Sequence, residues 1–273
     1  VYLGVNVHAV GMSGALGELA ADLDTIQTRL HDLLAALPAA SWDLPTPAAG
    51  WTVRHQVRHL AYGEELGRLA AVDPAAFATE LERLVADLAA VEAATTGDSG
   101  DPDAEVLARW WQAARDLRAA VLAGPADERI DWVTGPMSRA SFLTARLMEA
   151  FAHGHDVAVA AGRELDVDEA LHHVAHLGFA TRGFAYANRG LPVPDAPVRL
   201  ELTGPGGERW TWGPPDAGDV VRGPALDWCL LVTQRVHRDD THLEATGSAA
   251  SGWLAIAQCF AGPPTDGPPP RHT

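Results

Sequence analysis

Residues 146–156 read Arg-Leu-Met-Glu-Ala-Phe-Ala-His-Gly-His-Asp. Glu149 and His153 are four residues apart, so on an α-helix they share one face, one turn apart. A carboxylate and an imidazole at that spacing can bind one metal ion through an oxygen and a nitrogen. The other reading is an ordinary polar pair on a solvated face. Leu147, Met148, Ala150, Phe151, Ala152 and Val157 surround the pair on almost every side. A helix that apolar is mostly buried, and buried Glu and His need partners. The surroundings therefore favour a site.

The helical pattern extends to both sides of this stretch. Leu19, Leu23, Ile26, Leu30, Leu33, Leu34 and Leu37 give residues 16–37 an amphipathic helix ended before Pro38. Thr52 is a suitable N-cap for a helix to about residue 72. Pro74 opens one through about 94, and Pro102 opens another to about 123. Ser138 caps the helix that carries Glu149 and His153, and a further helix is expected over 168–186. Short connections between such helices predict an antiparallel bundle. After Gly190 the period changes. Val198, Leu200 and Leu202 alternate with Arg199, Glu201 and Thr203, as in a half-buried strand. A Gly-Pro-Gly-Gly turn then leads to a hairpin partner at 208–212. Weaker strands are expected at 219–222 and 242–246, and helices at 224–236 and 248–261. The expected organisation is an N-terminal extension (1–12, with Met12 as the working start), a helical bundle (13–190), a small α+β domain (191–262) and a disordered proline-rich tail (263–273).

Composition narrows the function classes. The formal net charge of −16 argues against nucleic acid and anionic membranes as partners. No apolar run approaches a membrane span and no signal peptide is evident, so a cytoplasmic protein is expected. All 20 basic residues are arginine, which removes lysine Schiff-base chemistry. Cys229 and Cys259 are expected to be reduced, buried thiols. Serine-nucleophile, phosphate-loop and dinucleotide motifs are missing.

Histidine is abundant, with 12 residues. His55/His59, Glu149/His153 and His172/His176 share helical i,i+4 spacing, with His173 beside the last pair. A catalytic metal typically takes three protein ligands. His59, a turn further into its helix than His55, is the favoured inward-facing member. His172, His173 and His176 compete as ligands or serve as packing residues. His155 points elsewhere on its helix, and Asp156 either orients a ligand imidazole or is a surface acid.

Trp42, residues 45–54 (Pro-Thr-Pro-Ala-Ala-Gly-Trp-Thr-Val-Arg) and His59-Leu60 resemble the entry to the second helix of the DinB-like bundle. More closely, they resemble the actinobacterial mycothiol-dependent maleylpyruvate isomerase branch. Residues 152–157, Ala-His-Gly-His-Asp-Val, resemble that family's His-Gly-x-Asp segment. The resemblance covers nearly the whole chain after Met12, and its C-terminal part is similar to sterol-carrier-like domains. It implies a metal held by His59, Glu149 and His153. His55 stands where the family often has an acidic residue, so the choice between the two histidines stays open here. Arg235 resembles the arginine that closes the matching helix, where an arginine of the second domain assists catalysis; its other reading is a cation at a helix C-terminus.

The expected fold is thus mainly α, a DinB-like up-down bundle followed by a small α+β domain. The expected cofactor is a divalent metal, zinc first and nickel or iron as alternatives, with mycothiol as the implied thiol. Such a centre would activate the thiol for addition to an electron-poor, anionic small molecule, giving isomerisation or S-transfer. The alternatives are a hydrolase or lyase using metal-bound water, and a non-catalytic metal- or ligand-binding protein. Either a monomer or a homodimer is compatible with the sequence.

Overall fold

The computed structural model describes residues 12–271 except 88–92, 94, 98–99 and 126. The expected extension before Met12 lies outside the described residues. The chain is mainly helical with a small sheet region. It divides between Asp166 and Val167 into two compact units.

The first unit holds α1 (Met12–Ala35), α2 (Val53–Val72), α3 (Pro74–Ala86), α4 (Asp103–Ala123) and α5 (Arg139–Ala160). Local signals set these boundaries. Asp73 accepts the Ala76 amide at 3.0 Å ahead of α3, and Pro74 fills its first position. Ser138 accepts the Ser141 amide at 3.1 Å and starts α5. Two-residue strands β1 (Arg129–Ile130) and β2 (Met137–Ser138) pair antiparallel in the α4–α5 connection. They are too short to show a sequence period.

Side-chain pairings give the helix directions. Asp24 and Gln27 of α1 meet Arg118 of α4, while His31 lies against Trp111, so α1 and α4 run antiparallel. Gly63 faces Arg146 and Gly67 faces Phe142, so α2 and α5 also run antiparallel. Arg54–Asp103 and Glu65–Arg109 place α2 and α4 side by side in the same direction. Leu30, Leu34, Val57, Leu60, Trp110 and Val157 form the core at the end of the bundle where His59 and His153 lie.

Gly67 lets the helices approach closely. A Cβ there would lie 2.6 Å from Leu117 Cδ1 and 2.9 Å from Phe142 Cζ. Overpacking at Gly67→Ala is expected to cost about 1–3 kcal/mol, which a helix-propensity gain of about 1 kcal/mol reduces to a net loss of up to about 2 kcal/mol. Urea unfolding checks this, and a variant at least as stable as the parent would overturn the close-contact account.

The second unit holds α6 (Leu171–Ala180), α7 (Arg182–Asn188), α8 (Ala225–Val232), α9 (Ser248–Leu254) and a four-stranded sheet. Its strands are β3 (Val198–Thr203), β4 (Arg209–Trp212), β5 (Asp219–Pro224) and β6 (Glu244–Thr246), in the order β4-β3-β5-β6. β3 forms the expected hairpin with β4 and pairs parallel with β5. The alternation in β3 holds: Val198, Leu200 and Leu202 are buried, and Glu201 on the other face takes Arg199, Arg209 and Arg222.

The segment expected as one helix over 168–186 of the bundle is instead two helices grouped with this second unit. The break falls at Thr181, whose hydroxyl donates back to the carbonyls of Leu177 (2.8 Å) and Gly178 (3.2 Å). Gly178 packs against Trp228 and Val232, and Trp228 Nε1 donates to the Ala175 carbonyl at 3.1 Å. The helices expected over 224–236 and 248–261 are shorter, ending at Val232 and Leu254. The tail expected to be disordered is described to residue 271 and hydrogen-bonds to its own unit. Gln234 donates to the Thr265 carbonyl at 3.0 Å, and the Arg271 amide to Asp240 at 2.9 Å. Cys229 and Cys259 are buried thiols that no disulfide joins, as expected. Among the described residues, no helix is long and apolar enough to cross a membrane.

Candidate metal centre

His59 projects from α2, and Glu149 and His153 from α5. One donor atom from each lies within 4.8 Å of the others. Glu149 Oε2 is 3.1 Å from His153 Nε2 and 3.5 Å from His59 Nε2. Among the described residues this is the group of three or more His, Cys, Asp or Glu side chains whose donors converge. Side-chain exposure is 32% for His59 and 22% for Glu149 but 11% for His153, so the centre is open to solvent on the His59 side.

The outer face of His153 is held by a polar chain. His153 Nδ1 bonds the side-chain oxygen of Gln56. The amide nitrogen of Gln56 donates to Asp156 Oδ2 at 3.4 Å and to Thr46 Oγ1 at 2.8 Å. Because Asp156 is an acceptor, the amide orientation is fixed and the Gln56 oxygen must face His153. His153 then carries its proton on Nδ1. Its Nε2, facing a carboxylate at 3.1 Å, requires a cation between the two, either a second proton or a metal. Asp156 is 1% exposed and reaches His153 through Gln56, so it is no surface acid.

Trp51 covers one side. Its ring lies 5.9 Å from His153, nearly parallel at 15°, and 5.1 Å from His59. The preceding loop is pinned by Thr46, whose amide and hydroxyl donate to the Trp51 carbonyl at 2.8 and 3.0 Å. Burial pushes the Glu149 carboxyl toward protonation. Hydrogen bonds from His153 and His59, with the charges of His153 and Arg146, outweigh this and hold it well below the usual carboxylate range. Glu149 is thus ready as an anionic ligand.

The remaining histidines take other places. His55 Nδ1 accepts the Thr52 amide at 3.1 Å and caps α2. Desolvation, then the Arg58 and Arg54 charges, lower its pKa and keep it neutral. Of the two histidines left open by the sequence, His59 is the one at the centre. His172 packs in the second unit with its ring 4.9 Å from Trp212 and 5.1 Å from Trp210. His172, His173 and His176 do not form a converging ligand group.

Arg235 follows α8. Its amide bonds the Leu230 carbonyl at 2.8 Å and the Gln234 amide bonds Leu231 at 2.9 Å, with Gln234 at φ +57°. This is a Schellman C-cap built without glycine. The Arg235 guanidinium also donates to the Thr233 carbonyl at 2.7 Å.

Gln56 escaped the sequence reading because an amide carries no metal-ligand motif. A signal was present: it is polar, yet it occupies a core position beside Val53, Val57 and Leu60. Gln56→Leu is expected to keep the helical fold and lower metal affinity about 10- to 100-fold. Competition with a chromophoric chelator checks this, and unchanged affinity would remove Gln56 from the centre.

Residues 23–158 match the family model described as the mycothiol maleylpyruvate isomerase N-terminal domain. Two uncharacterized proteins of Mycobacterium tuberculosis, one from each of two strains, are 42% identical over 252 residues, covering 92% of this chain and 98% of theirs. The crystal structure of a mycothiol-dependent maleylpyruvate isomerase, and that of a histidine-to-alanine mutant of it, share the fold. Each has a TM-score of 0.54 at 17% identity, over 84% of this chain and 92% of theirs. The family match spans α2, α4 and α5 and contains all three converging side chains. The chain belongs to the mycothiol-dependent maleylpyruvate isomerase-like family.

Proposed function

We propose that this protein is a metal-dependent enzyme that uses a low-molecular-weight thiol, mycothiol by family, to isomerise or S-transfer a small anionic substrate. His59, Glu149 and His153 would hold one divalent metal, zinc first. The donor set suits it: two imidazoles and one carboxylate leave a position open, whereas a structural zinc usually has four protein ligands. When bound, the metal supplies a Lewis acid that favours the deprotonated form of a thiol or water at neutral pH.

The chain's own residues supply the rest. Gln56 and Asp156 would hold His153 with Nδ1 toward Gln56 and Nε2 toward Glu149. Trp51 shields one side from water. Arg235 would grip a substrate carboxylate through two parallel hydrogen bonds. The observation that carries this reading is the convergence of His59, Glu149 and His153, with Glu149 Oε2 3.1 Å from His153 Nε2 and 3.5 Å from His59 Nε2.

Calorimetry with mycothiol on metal-loaded and metal-stripped protein tests it. Binding is expected only to the loaded form. Equal binding to both, or to neither, would overturn the thiol reading and leave the water-using hydrolase or lyase.

A further inference from the structure

Arg146 lies one turn before Glu149 on α5, with its side chain 5% exposed. Its Nε is 3.4 Å from Oε2 of Glu64, a fully buried carboxylate of α2. Yet Arg146 Nε and Nη2 and Glu64 Oε2 all lack a hydrogen-bond partner. The guanidinium rests against Gly63, where a Cβ would lie 3.0 Å from Nη2, and Gly63 is one turn beyond His59. The cation is therefore held between the two helices that carry the three converging side chains. Around it, Gln27 Nε2 donates to Glu64 Oε1 at 3.1 Å, and Arg118 bonds Gln27 and Asp24.

A structural ion pair in this interior would be expected to close its hydrogen bonds, because a buried charge with orphaned N–H groups is costly. Packing alone does not explain the arrangement. Its charge offers an explanation. Two neutral imidazoles, one carboxylate and a divalent metal carry a net charge of about +1. A fixed guanidinium nearby repels the metal slightly and attracts any further anion. Structural support and electrostatic support thus have opposite signs for the metal.

We propose that Arg146 is a positioning residue whose buried positive charge favours a thiolate over a neutral ligand at the metal held by His59, Glu149 and His153. The proposal rests on the metal-and-thiol reading above and deepens it. Glu64 compensates part of this charge, so the effect is smaller than that of a full unit charge, and about threefold is the smallest expected.

The test compares the parent protein, Arg146→Met, Arg146→Lys and Glu64→Gln. Cobalt(II) affinity is read by chelator competition. Mycothiol affinity is read by calorimetry and by near-ultraviolet thiolate-to-cobalt absorption. Arg146→Met is expected to keep or tighten cobalt binding while losing about threefold or more in mycothiol affinity, and Arg146→Lys to recover most of it. If Arg146→Met does not fold, Glu64→Gln, which leaves the guanidinium uncompensated, must instead raise mycothiol affinity by about threefold or more. Unchanged mycothiol affinity overturns the proposal, as does a parallel fall in cobalt affinity, mycothiol affinity and Tm. A parent protein that binds no metal or no mycothiol overturns the functional reading and this proposal together. A parent that binds both, with variants that track it, overturns the Arg146 role alone.

Discussion

Glu149→Ala is expected to purify with little or no metal, its affinity lowered by about three orders of magnitude or more. Structural zinc sites are worth roughly 10–16 kcal/mol in total, so one charged ligand of three is worth on the order of 4 kcal/mol, about a thousandfold. Glu149 lies between the two imidazoles, 3.1 Å from one and 3.5 Å from the other, and is the anion of the set. Glu149→Gln keeps the shape but not the charge and should fall nearly as far. His153→Ala should behave like Glu149→Ala. Elemental analysis of the purified variants decides, and near-stoichiometric metal in both alanine variants would place the site elsewhere. The same carboxylate gives a pH signature without metal. Its pKa is lowered on folding, so its contribution to stability is present above the ordinary carboxylate value and is lost as pH falls through the depressed one. Denaturant titrations of stripped protein should show this acid limb flattened in Glu149→Gln.

Much of this centre is legible in the sequence because helical spacing alone puts Glu149 over His153 and places both in an apolar stretch. The choice of His59 over His55 is not legible in that way, since both lie on one face of α2, a turn apart. In the structure the Thr52 amide takes His55 Nδ1, and it is His59 that converges with Glu149 and His153. Gln56 and Arg146 stay hidden for another reason: their roles depend on what faces them across the α2–α5 contact, and periodicity carries no information about partners. The same limit explains the second-unit helices. The amphipathic pattern of 168–186 shows that one face is buried but not against what, and Gly178 meeting Trp228 answers that only in three dimensions. Thr181, a β-branched residue inside that pattern, breaks the helix through a local hydroxyl bond that the apolar period does not register.

Arg235→Ala is expected to fold, retain its metal and lose about two to three orders of magnitude in kcat/KM toward an anionic substrate, with maleylpyruvate as the first probe. Retention of fold follows from the backbone, because the Schellman bonds at Leu230 and Leu231 use the amides of Arg235 and Gln234, which alanine at 235 leaves in place. The guanidinium bond to the Thr233 carbonyl is lost. That carbonyl lies at a helix C-terminus, where a cation is worth only about 0.3–1 kcal/mol, so the loss of this bond should move Tm little. The loss in activity has a different origin. A chain of net charge −16 repels an anionic substrate unless a local cation holds it, and bidentate Arg–carboxylate contacts are among the stronger hydrogen bonds available. Arg235→Lys keeps the charge but not the fork, and should recover part of the affinity with less of the turnover. Arg235→Ala with unchanged kcat/KM, or a Tm drop large enough to account for the lost activity, would assign this residue to capping α8 and nothing more.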